Sequence, residues 1–236
     1  TAFQGLKIAQ ISDLHIGPTI KADYARTVVE QVNALKPDLI FFTGDMVDGS
    51  VDRLSADVEP LRHLKSKYGT YFVTGNHEYY SGAMEWVDKV QELGMIHLEN
   101  EHRILRLNGA SLAIAGVTDL MAHHTITSHK TNPHKAMRGI PDDMPSIMLA
   151  HQPGTAELTQ DLAIDLMLCG HTHGGQFMPF NLAVAKAHKY YAGLYRHGKM
   201  QVYVNRGTGY WGPPLRLGIP SEITLISLES DVSGIS

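Results

Sequence analysis

Aspartate, asparagine and histidine residues recur in this sequence directly after predicted strands. They occur at five strand ends, as Asp13-Leu14-His15, Gly44-Asp45, Gly75-Asn76-His77-Glu78, His151 and Gly170-His171-Thr172-His173. Carboxylate, amide and imidazole groups without thiolate suit manganese, iron, zinc or nickel. A lone aspartate after a strand is usually a helix cap, and a lone histidine is usually a hydrogen-bonded structural group. The coincidence at five strand ends favours a metal centre instead.

The spacing within the motifs indicates where their side chains point. If the backbone stays extended beyond the strand, residues i and i+2 project to the same side, so the pairs Asp13/His15 and His171/His173 each face one centre. A glycine directly precedes the polar residue at three of the strand ends, as a tight turn or a close backbone approach requires. These glycines are Gly44, Gly75 and Gly170.

The chain has the size and composition of a single soluble domain spanning residues 1–236. Its 236 residues are 43% hydrophobic and 19% charged, which suffices for a large core and excludes a disordered or collagen-like chain. The apolar runs are far shorter than the roughly 20 residues of a membrane span. Cys169 is the only cysteine, so an internal disulfide framework and a cysteine-built metal site are excluded.

The charges are distributed unevenly along the chain. Residues 166–221 contain six of the 20 lysines and arginines and no acidic residue, and residues 120–141 are also free of acids. Such segregation is typical of a basic face that attracts an anion, although solvated loops whose charges happen to cluster explain it equally well.

The hydrophobic periodicity predicts an α/β arrangement followed by a region rich in strands. In the first half we expect strands at 6–12, 39–43 and 70–74 and helices at 22–35, 54–64 and 84–93, which makes a βαβαβα unit with parallel strands. In the second half we expect a hairpin with strands at 103–107 and 111–116 around Asn108-Gly109. Further strands are expected at 146–150, 164–169, 200–205 and 222–228, with short helical patterns at 155–162. Ligands bind beyond the carboxyl ends of such parallel strands, which is where the polar motifs lie.

Taken together and in this order, the five motifs resemble those of the calcineurin-like metallophosphoesterases across most of the chain. The resemblance implies an α/β (α+β) class with a four-layer αββα fold, in which two packed mixed β-sheets are flanked by helices. It also implies two divalent metal ions, with manganese favoured and zinc, iron or nickel as alternatives. The implied ligands of the first ion are Asp13, His15, Asp45 and His173. Asp45 bridges to the second ion, which Asn76, His151 and His171 complete, and His77 stays unligated beside the substrate.

Differences from the family pattern indicate which branch of the family the chain resembles. Gly49 and Thr74 stand where protein Ser/Thr phosphatases carry arginines, so a phosphoprotein substrate is not expected. Asp48 stands where purple acid phosphatases carry a ligand tyrosine. Gly174-Gly175-Gln176 and the glycine-rich tail at 204–216 resemble the bacterial relatives of the transmembrane protein with metallophosphoesterase domain. That branch implies a phosphodiesterase of the membrane or cell envelope, some members of which are assigned to the lipid A precursor UDP-2,3-diacylglucosamine.

The residue types suit hydrolysis of a phosphoester without a covalent intermediate. Two divalent ions held by two carboxylates and neutral ligands keep a net positive charge, so a bridging hydroxide can form and attack phosphorus in line. His77 is the candidate general acid for the leaving group, and Asp45 is needed for both ions. Asp48 is a candidate for orienting a ligand, although a surface or capping role is equally plausible.

Substrate contacts are predicted from charge and aromaticity. Asn76, His123, Arg206 and Arg216 are candidates for phosphate contact. The aromatic residues Tyr79, Tyr80, Phe177, Tyr210 and Trp211 are candidates for stacking on a base or lining an apolar channel, although simple packing is the commoner role of such residues. The segment 178–195 mixes apolar and basic residues and suits an anionic membrane surface, with a lid or a partly buried insertion as the equal alternative.

The expected substrate is a small-molecule or lipid-linked phosphate, and no protein partner is indicated. A membrane or bacterial cell-envelope location is expected, through a segment that this chain does not include, with a cytoplasmic location as the alternative. Two other functions stay open. A metal-dependent nuclease would use the same ligands and a basic phosphate track, and a catalytically silent metal-binding scaffold would retain the ligands without turnover.

Overall fold

The computed structural model describes residues 2–229, which form two β-sheets packed face to face. The strands of the first sheet are β1 Lys7–Ile11, β2 Leu39–Phe42, β3 Thr70–Phe72, β4 Ile96–His97 and β11 Thr224–Ser227. Their spatial order is β11-β1-β2-β3-β4, and β1 to β4 are parallel while β11 is antiparallel to β1. The parallel unit predicted for the first half of the chain therefore forms the greater part of this sheet.

The second sheet is built from the later part of the chain. Its strands are β5 Glu101–Leu107, β6 Ala110–Gly116, β7 Ser146–Leu149, β8 Leu166–Cys169, β9 Gly193–His197 and β10 Met200–Val204. The order is β5-β6-β7-β8-β10-β9, with β6, β7, β8 and β10 parallel and an antiparallel strand at each edge. Asn108 and Gly109 both adopt positive φ in the turn between β5 and β6, as the predicted hairpin requires.

The six helices are α1 Ala22–Ala34, α2 Val51–Val58, α3 Asn76–Ser81, α4 Ala83–Glu92, α5 Pro133–Met137 and α6 Phe180–Ala187. Helices α1, α2 and α4 pack on the outer face of the first sheet, and α5 packs on that of the second. Alternation along the strands separates the layers, since Phe41 packs between the two sheets while its neighbour Phe42 packs against the helices. Met148 and Leu149 divide in the same way in the second sheet. The predicted four-layer αββα fold of two mixed sheets flanked by helices is confirmed.

Several predicted boundaries differ from the structure. The helix predicted at 54–64 begins earlier, at Val51, and ends at Val58, where a 3-10 helix Glu59–His63 takes over. Pro60 explains the change, because proline has no N–H and its ring clashes with the preceding helical turn. The prediction omits α3, α5, α6, β4 and β9, which are short. Within residues 2–229, no helix combines the length and apolar character of a membrane span.

Candidate metal centre

The polar motifs meet at the carboxyl ends of the parallel strands, where the two sheets adjoin. Backbone hydrogen bonds connect the strand ends, from Asp13 N to the carbonyl oxygen of Gly44 (2.9 Å) and from Gly170 N to that of His151 (2.9 Å). Three groups of side chains bring potential ligand atoms within 4.8 Å of one another. The groups are Asp13/His15/His173, Asp45/His151/His171 and His15/Asp45/His77.

The first group presents two imidazoles and one carboxylate to a common point. The Nε2 atoms of His15 and His173 lie 3.1 Å apart, and the Nε2 atom of His173 lies 3.4 Å from Oδ1 of Asp13. Burial lowers the pKa of His173 to about 3, with the nearby charges of His15 and Arg216 acting in the same direction against that of Asp13. His173 is therefore neutral at physiological pH, which is the state in which histidine binds a metal ion.

The second group is centred on Asp45. Its Oδ2 atom lies 3.1 Å from Nε2 of His151, and Nδ1 of His171 lies 3.2 Å from that same nitrogen. Burial disfavours the charged form of Asp45, but the charge and hydrogen bond of His151 outweigh it and lower the pKa of Asp45. Nδ1 of His151 donates to the carbonyl oxygen of Thr43 at 2.7 Å, which orients the ring so that Nε2 faces Asp45.

Asp45 also lies within reach of the first group. Its Oδ2 atom is 3.7 Å from Nε2 of His15 and 4.0 Å from Nε2 of His77. One carboxylate thus lies between two clusters of ligand atoms, a suitable position for bridging two cations.

An unpaired oxygen at the first residue of α3 fits the same interpretation. The side-chain oxygen of Asn76 is buried and has no hydrogen-bond partner. A buried polar atom without a partner is costly in free energy, and an ion is one of the partners that satisfies it. Together with the donor set of carboxylates and neutral imidazoles, this oxygen makes the site chemically suited to divalent metal ions.

The backbone at the ligand positions is left-handed, which corrects the expectation of extended segments. Non-glycine residues with positive φ occur at five of the motif positions, namely Asp13, His15, Asp45, His171 and His173. The pair Asp13/His15 nevertheless enters one cluster, whereas His171 and His173 belong to different clusters. A tight turn explains this difference, because it removes the period of two that an extended strand imposes on its side chains.

The three glycines of the motifs allow close contact, as predicted. A Cβ atom on Gly75 would lie 2.1 Å from Oδ1 of Asp45, and one on Gly170 would lie 2.2 Å from Oδ2 of Asp13. At Gly44 a Cβ atom would lie 2.8 Å from Nδ1 of His151. No side chain fits at these distances, so the glycines let the carboxylates and the imidazole approach the neighbouring backbone.

Glu78 is a structural residue of the site to which the sequence analysis assigns no role. This fully buried carboxylate accepts backbone hydrogen bonds from Asp45 (2.9 Å), Met46 (2.7 Å), Val47 (3.3 Å) and Gly75 (2.7 Å). Burial and the charge of Asp45 raise the pKa of Glu78 to about 7, against the effect of the backbone hydrogen bonds. The available sequence signal was its position three residues after Gly75, which is the spacing of a capping box.

His77 and Asp48 form a pair at the edge of the clusters. Oδ1 of Asp48 accepts hydrogen bonds from Nδ1 of His77 and from Nδ1 of His15, the latter at 3.1 Å. Burial disfavours protonation of His77, but the hydrogen bond to Asp48 and the charges of Asp45 and Asp48 outweigh it and raise the pKa of His77. Of the two roles considered for Asp48, the contacts show the orienting one.

A cavity of about 470 Å³ opens above the clusters. Its lining combines polar motif residues with the apolar side chains of Phe177, Phe180, Val184, Trp211 and Pro213. Of the predicted aromatic residues, Tyr80, Phe177 and Trp211 line the cavity. The hydroxyl of Tyr79 instead forms a hydrogen bond with Nδ1 of His129 at 3.0 Å. Tyr210 packs against the core between the first sheet and its helices.

The residues predicted to contact phosphate also differ in whether they line the cavity. Asn76 lines the cavity, but His123, Arg206 and Arg216 are not among its lining residues. Arg216 lies behind His173, where its guanidinium donates to the backbone oxygens of His173 (3.2 Å) and Gly209 (2.6 Å). The guanidinium also contacts Nδ1 of His173 at 3.2 Å, so Arg216 holds both these loops and the ring of His173. His123 contacts the carbonyl oxygen of Leu120 at 3.1 Å, and Arg206 is exposed.

Comparisons with known proteins agree with the geometry. The family model described as calcineurin-like phosphoesterase matches residues 6–175. The transmembrane protein with metallophosphoesterase domain of Danio rerio is 38% identical over 236 residues, covering 97% of this chain and 54% of that protein. An uncharacterized metallophosphoesterase of Helicobacter pylori strain J99 is 40% identical over 225 residues, covering 94% of this chain and 60% of that protein. The chain thus spans little more than half the length of these curated relatives.

Solved structures share the fold at low sequence identity. The 5'-nucleotidase precursor from Thermus thermophilus superposes with a TM-score of 0.56 at 14% identity, over 86% of this chain and 49% of that one. At this identity the similarity shows the fold alone. The family model covers well over half of the chain and contains all of the candidate metal ligands, and on that basis the chain belongs to the calcineurin-like phosphoesterase family.

Proposed function

We propose that this chain hydrolyses phosphodiester or pyrophosphate bonds by in-line attack of water, with two divalent metal ions as cofactors and His77 as the general acid. The observation that carries the proposal is the position of Asp45, whose carboxylate lies between two ligand clusters and lines the cavity. When bound there, a pair of divalent ions supplies an acidified water and a positive charge for the phosphate oxygens. Manganese is the favoured metal.

The residues around the clusters supply orientation and a proton. The first cluster uses Asp13, His15 and His173, and the second uses Asp45, His151 and His171, to which Asn76 adds its unpaired oxygen. Asp48 holds Nδ1 of His77, and His77 lines the cavity, so its Nε2 atom is the one that would protonate the departing oxygen. The raised pKa of His77 keeps a larger fraction of the ring protonated near neutral pH.

For the substrate we propose a lipid-linked or nucleotide-sugar phosphate, of which UDP-2,3-diacylglucosamine is one example. The support is the mixed lining of the cavity, in which aromatic and aliphatic side chains accompany the polar motif residues. Such a lining suits an apolar or aromatic group attached to the phosphate. The proposed location is the membrane or cell envelope, as the name of the Danio rerio relative also suggests for that protein.

The nuclease alternative is less well supported by the cavity. Its lining includes no lysine or arginine, whereas a nucleic-acid track requires cations along the path of the backbone. Activity on DNA that falls steeply with salt would favour the nuclease. The silent-scaffold alternative predicts metal binding without turnover.

The test combines metal analysis with a substrate panel. The purified chain is loaded with manganese, zinc or magnesium and assayed on bis-p-nitrophenyl phosphate, phosphomonoesters, nucleotides, DNA and a UDP-diacyl-sugar. We expect turnover of the diester and of the UDP-diacyl-sugar, and an Asp45→Asn variant purified in parallel controls for contaminating phosphatases. Bound metal with no turnover on any substrate would overturn the proposal.

A further inference from the structure

Helix α6 exposes apolar side chains for which the described residues offer no cover. None of its eight residues is buried, although six of them are Phe, Leu, Val or Ala. Phe180 is 53% exposed and Leu182 is 65% exposed. A helix this apolar normally lies in a core or against a partner, so its surface calls for an explanation.

A second segment extends this surface. Residues 211–217 contribute three further exposed side chains, and hydrogen bonds join this segment to the residues just before α6. Met178 N donates to the carbonyl oxygen of Leu217 at 3.1 Å, and the side-chain nitrogen of Gln176 donates to the carbonyl oxygen of Trp211 at 2.9 Å. We call the combined surface the apolar rim, and its residues are Met178, Phe180, Leu182, Trp211, Leu215 and Leu217. These two short segments contain half of the large hydrophobic residues that are exposed between residues 2 and 229.

The apolar rim adjoins the cavity through two of its residues. Phe180 and Trp211 both line the cavity and are more than half exposed, so they belong to its inner wall and to its mouth. A lipid bilayer would cover these exposed side chains, and a lipid-linked substrate could then reach the cavity from the membrane.

Charge complements the apolar surface. Lys186 follows Leu182 by one helical turn, is exposed and has no ion pair within residues 2–229, and no acidic residue occurs between 166 and 221. Lysine next to exposed apolar side chains extends its ammonium group toward lipid headgroups, and tryptophan favours the same interfacial depth. Anionic lipid is the surface that attracts such a cluster.

We propose that the apolar rim docks this domain onto an anionic lipid bilayer, with the cavity mouth facing the membrane. This docking is independent of turnover, because the rim residues Met178, Leu182, Leu215 and Leu217 lie outside the cavity lining. It therefore extends the proposed function without depending on it.

The test is co-sedimentation of the full chain with vesicles of phosphatidylcholine, with and without phosphatidylglycerol. We expect binding that increases with phosphatidylglycerol and decreases with salt. The double variant Leu182→Glu/Leu217→Glu should bind at least about tenfold more weakly, because two apolar contacts become repelled charges. Lys186→Glu should weaken binding to the anionic vesicles by about fivefold or more and leave binding to phosphatidylcholine unchanged.

Matched controls are available outside the rim. Leu225 on β11 is 44% exposed, so Leu225→Glu introduces the same change outside the rim. Lys65→Glu reverses the charge of an exposed lysine that is distant in sequence from the rim. Both controls should bind vesicles as the unmodified chain does. Turnover of bis-p-nitrophenyl phosphate is measured for every variant, and the rim variants should keep it, which separates failure of docking from failure of catalysis.

Three outcomes would overturn the proposal. The first is that the unmodified chain does not sediment with either kind of vesicle, and the second is that the controls lose as much binding as the rim variants. The third outcome is a concentration-dependent dimer, seen by analytical ultracentrifugation, that Leu182→Glu abolishes while vesicle binding is absent. That result would assign the rim to a second copy of the chain.

Discussion

Asp48 connects His77 to the metal cluster, because one carboxylate oxygen accepts hydrogen bonds from both His77 and His15. The proposed general acid and a proposed metal ligand are therefore oriented by the same side chain. This arrangement predicts that substitution of His77 and substitution of Asp48 have different effects.

The variant His77→Ala should keep both metal ions and lose turnover by about 10²- to 10⁴-fold. The loss should be greatest for diesters with alkyl leaving groups, which most need a proton, and smaller for p-nitrophenyl esters. Steady-state assays of both substrate types, with metal content measured on the same samples, check this. Asp48→Asn should lower turnover and also weaken the metal cluster through His15. Full activity of His77→Ala on an alkyl diester would exclude the proposed role.

The variant Asp45→Asn should lose both metal ions, whereas His151→Asn should retain the ion of the first cluster. The reason is geometric, since Asp45 lies within 3.7 Å of His15 and 3.1 Å of His151, while His151 contacts the second cluster alone. Metal analysis by mass spectrometry after dialysis checks the two stoichiometries. Equal losses in the two variants would mean that the carboxylate does not bridge.

Replacing Gly75 by alanine should reduce metal binding and also destabilise the fold. The new methyl group would lie 2.1 Å from Oδ1 and 2.6 Å from the backbone nitrogen of Asp45, so the carboxylate and the backbone of Asp45 must both shift, although the φ of Gly75 is one that alanine tolerates. Gly154→Ala is the matched control, because its nearest neighbour is the end of the Leu120 side chain at 3.3 Å. Circular dichroism and metal titration of both variants check this. The prediction is wrong if Gly75→Ala binds metal as tightly as the control.

The variant Glu78→Gln should destabilise the fold by about 2–4 kcal/mol, since an amide replaces a carboxylate that accepts four backbone hydrogen bonds. The loop that carries Asp45 should loosen as well, so metal affinity should fall. Urea unfolding of the metal-free protein measures the first effect, and metal titration measures the second. Unchanged values in both would show that these hydrogen bonds contribute little.

Stability should depend on pH through His97. Burial, together with the charge of His129, lowers the pKa of His97 to about 4, whereas an unfolded histidine titrates near 6.5. Between these values only the unfolded chain binds the proton, so the free energy of unfolding should fall by about 3 kcal/mol as pH drops from 6.5 to 4. Urea unfolding of His97→Gln in the same range should show a correspondingly shallower decline. Parallel declines would refute this assignment.

The residue types at the strand ends are enough to predict that a metal centre exists. How its side chains are grouped depends on contacts between distant parts of the chain and is not predicted. The Asp, Asn and His motifs predict a metal centre because parallel strands place their carboxyl ends at one edge. The left-handed backbone at His171 and His173 depends on turns whose register is set by both sheets, so local spacing alone predicts the wrong grouping for this pair.

Other differences between the sequence predictions and the structure also have physical causes. A cluster of charges does not reveal which side chains use their donors internally, and Arg216 directs its donors to backbone oxygens behind His173. The capping-box spacing indicates only the bond of Glu78 to Gly75, whereas its bonds to Asp45 and Met46, about thirty residues earlier in the chain, follow from no local pattern. Short elements such as α6 and β9 have weak periodicity, so their prediction depends on contacts that only the folded chain provides.

The two clusters proposed to hold metal ions each draw residues from both sheets. Asp13 and His15 follow a strand of the first sheet and meet His173 from the second, while Asp45 from the first meets His151 and His171 from the second. A cation in either cluster would therefore act as a cross-link between the halves of the molecule. Metal binding and the packing of the two sheets against each other would then be thermodynamically coupled. Removing the ions with a chelator would weaken the contact between the sheets, and a substitution that separates the sheets would lower the affinity for the ions.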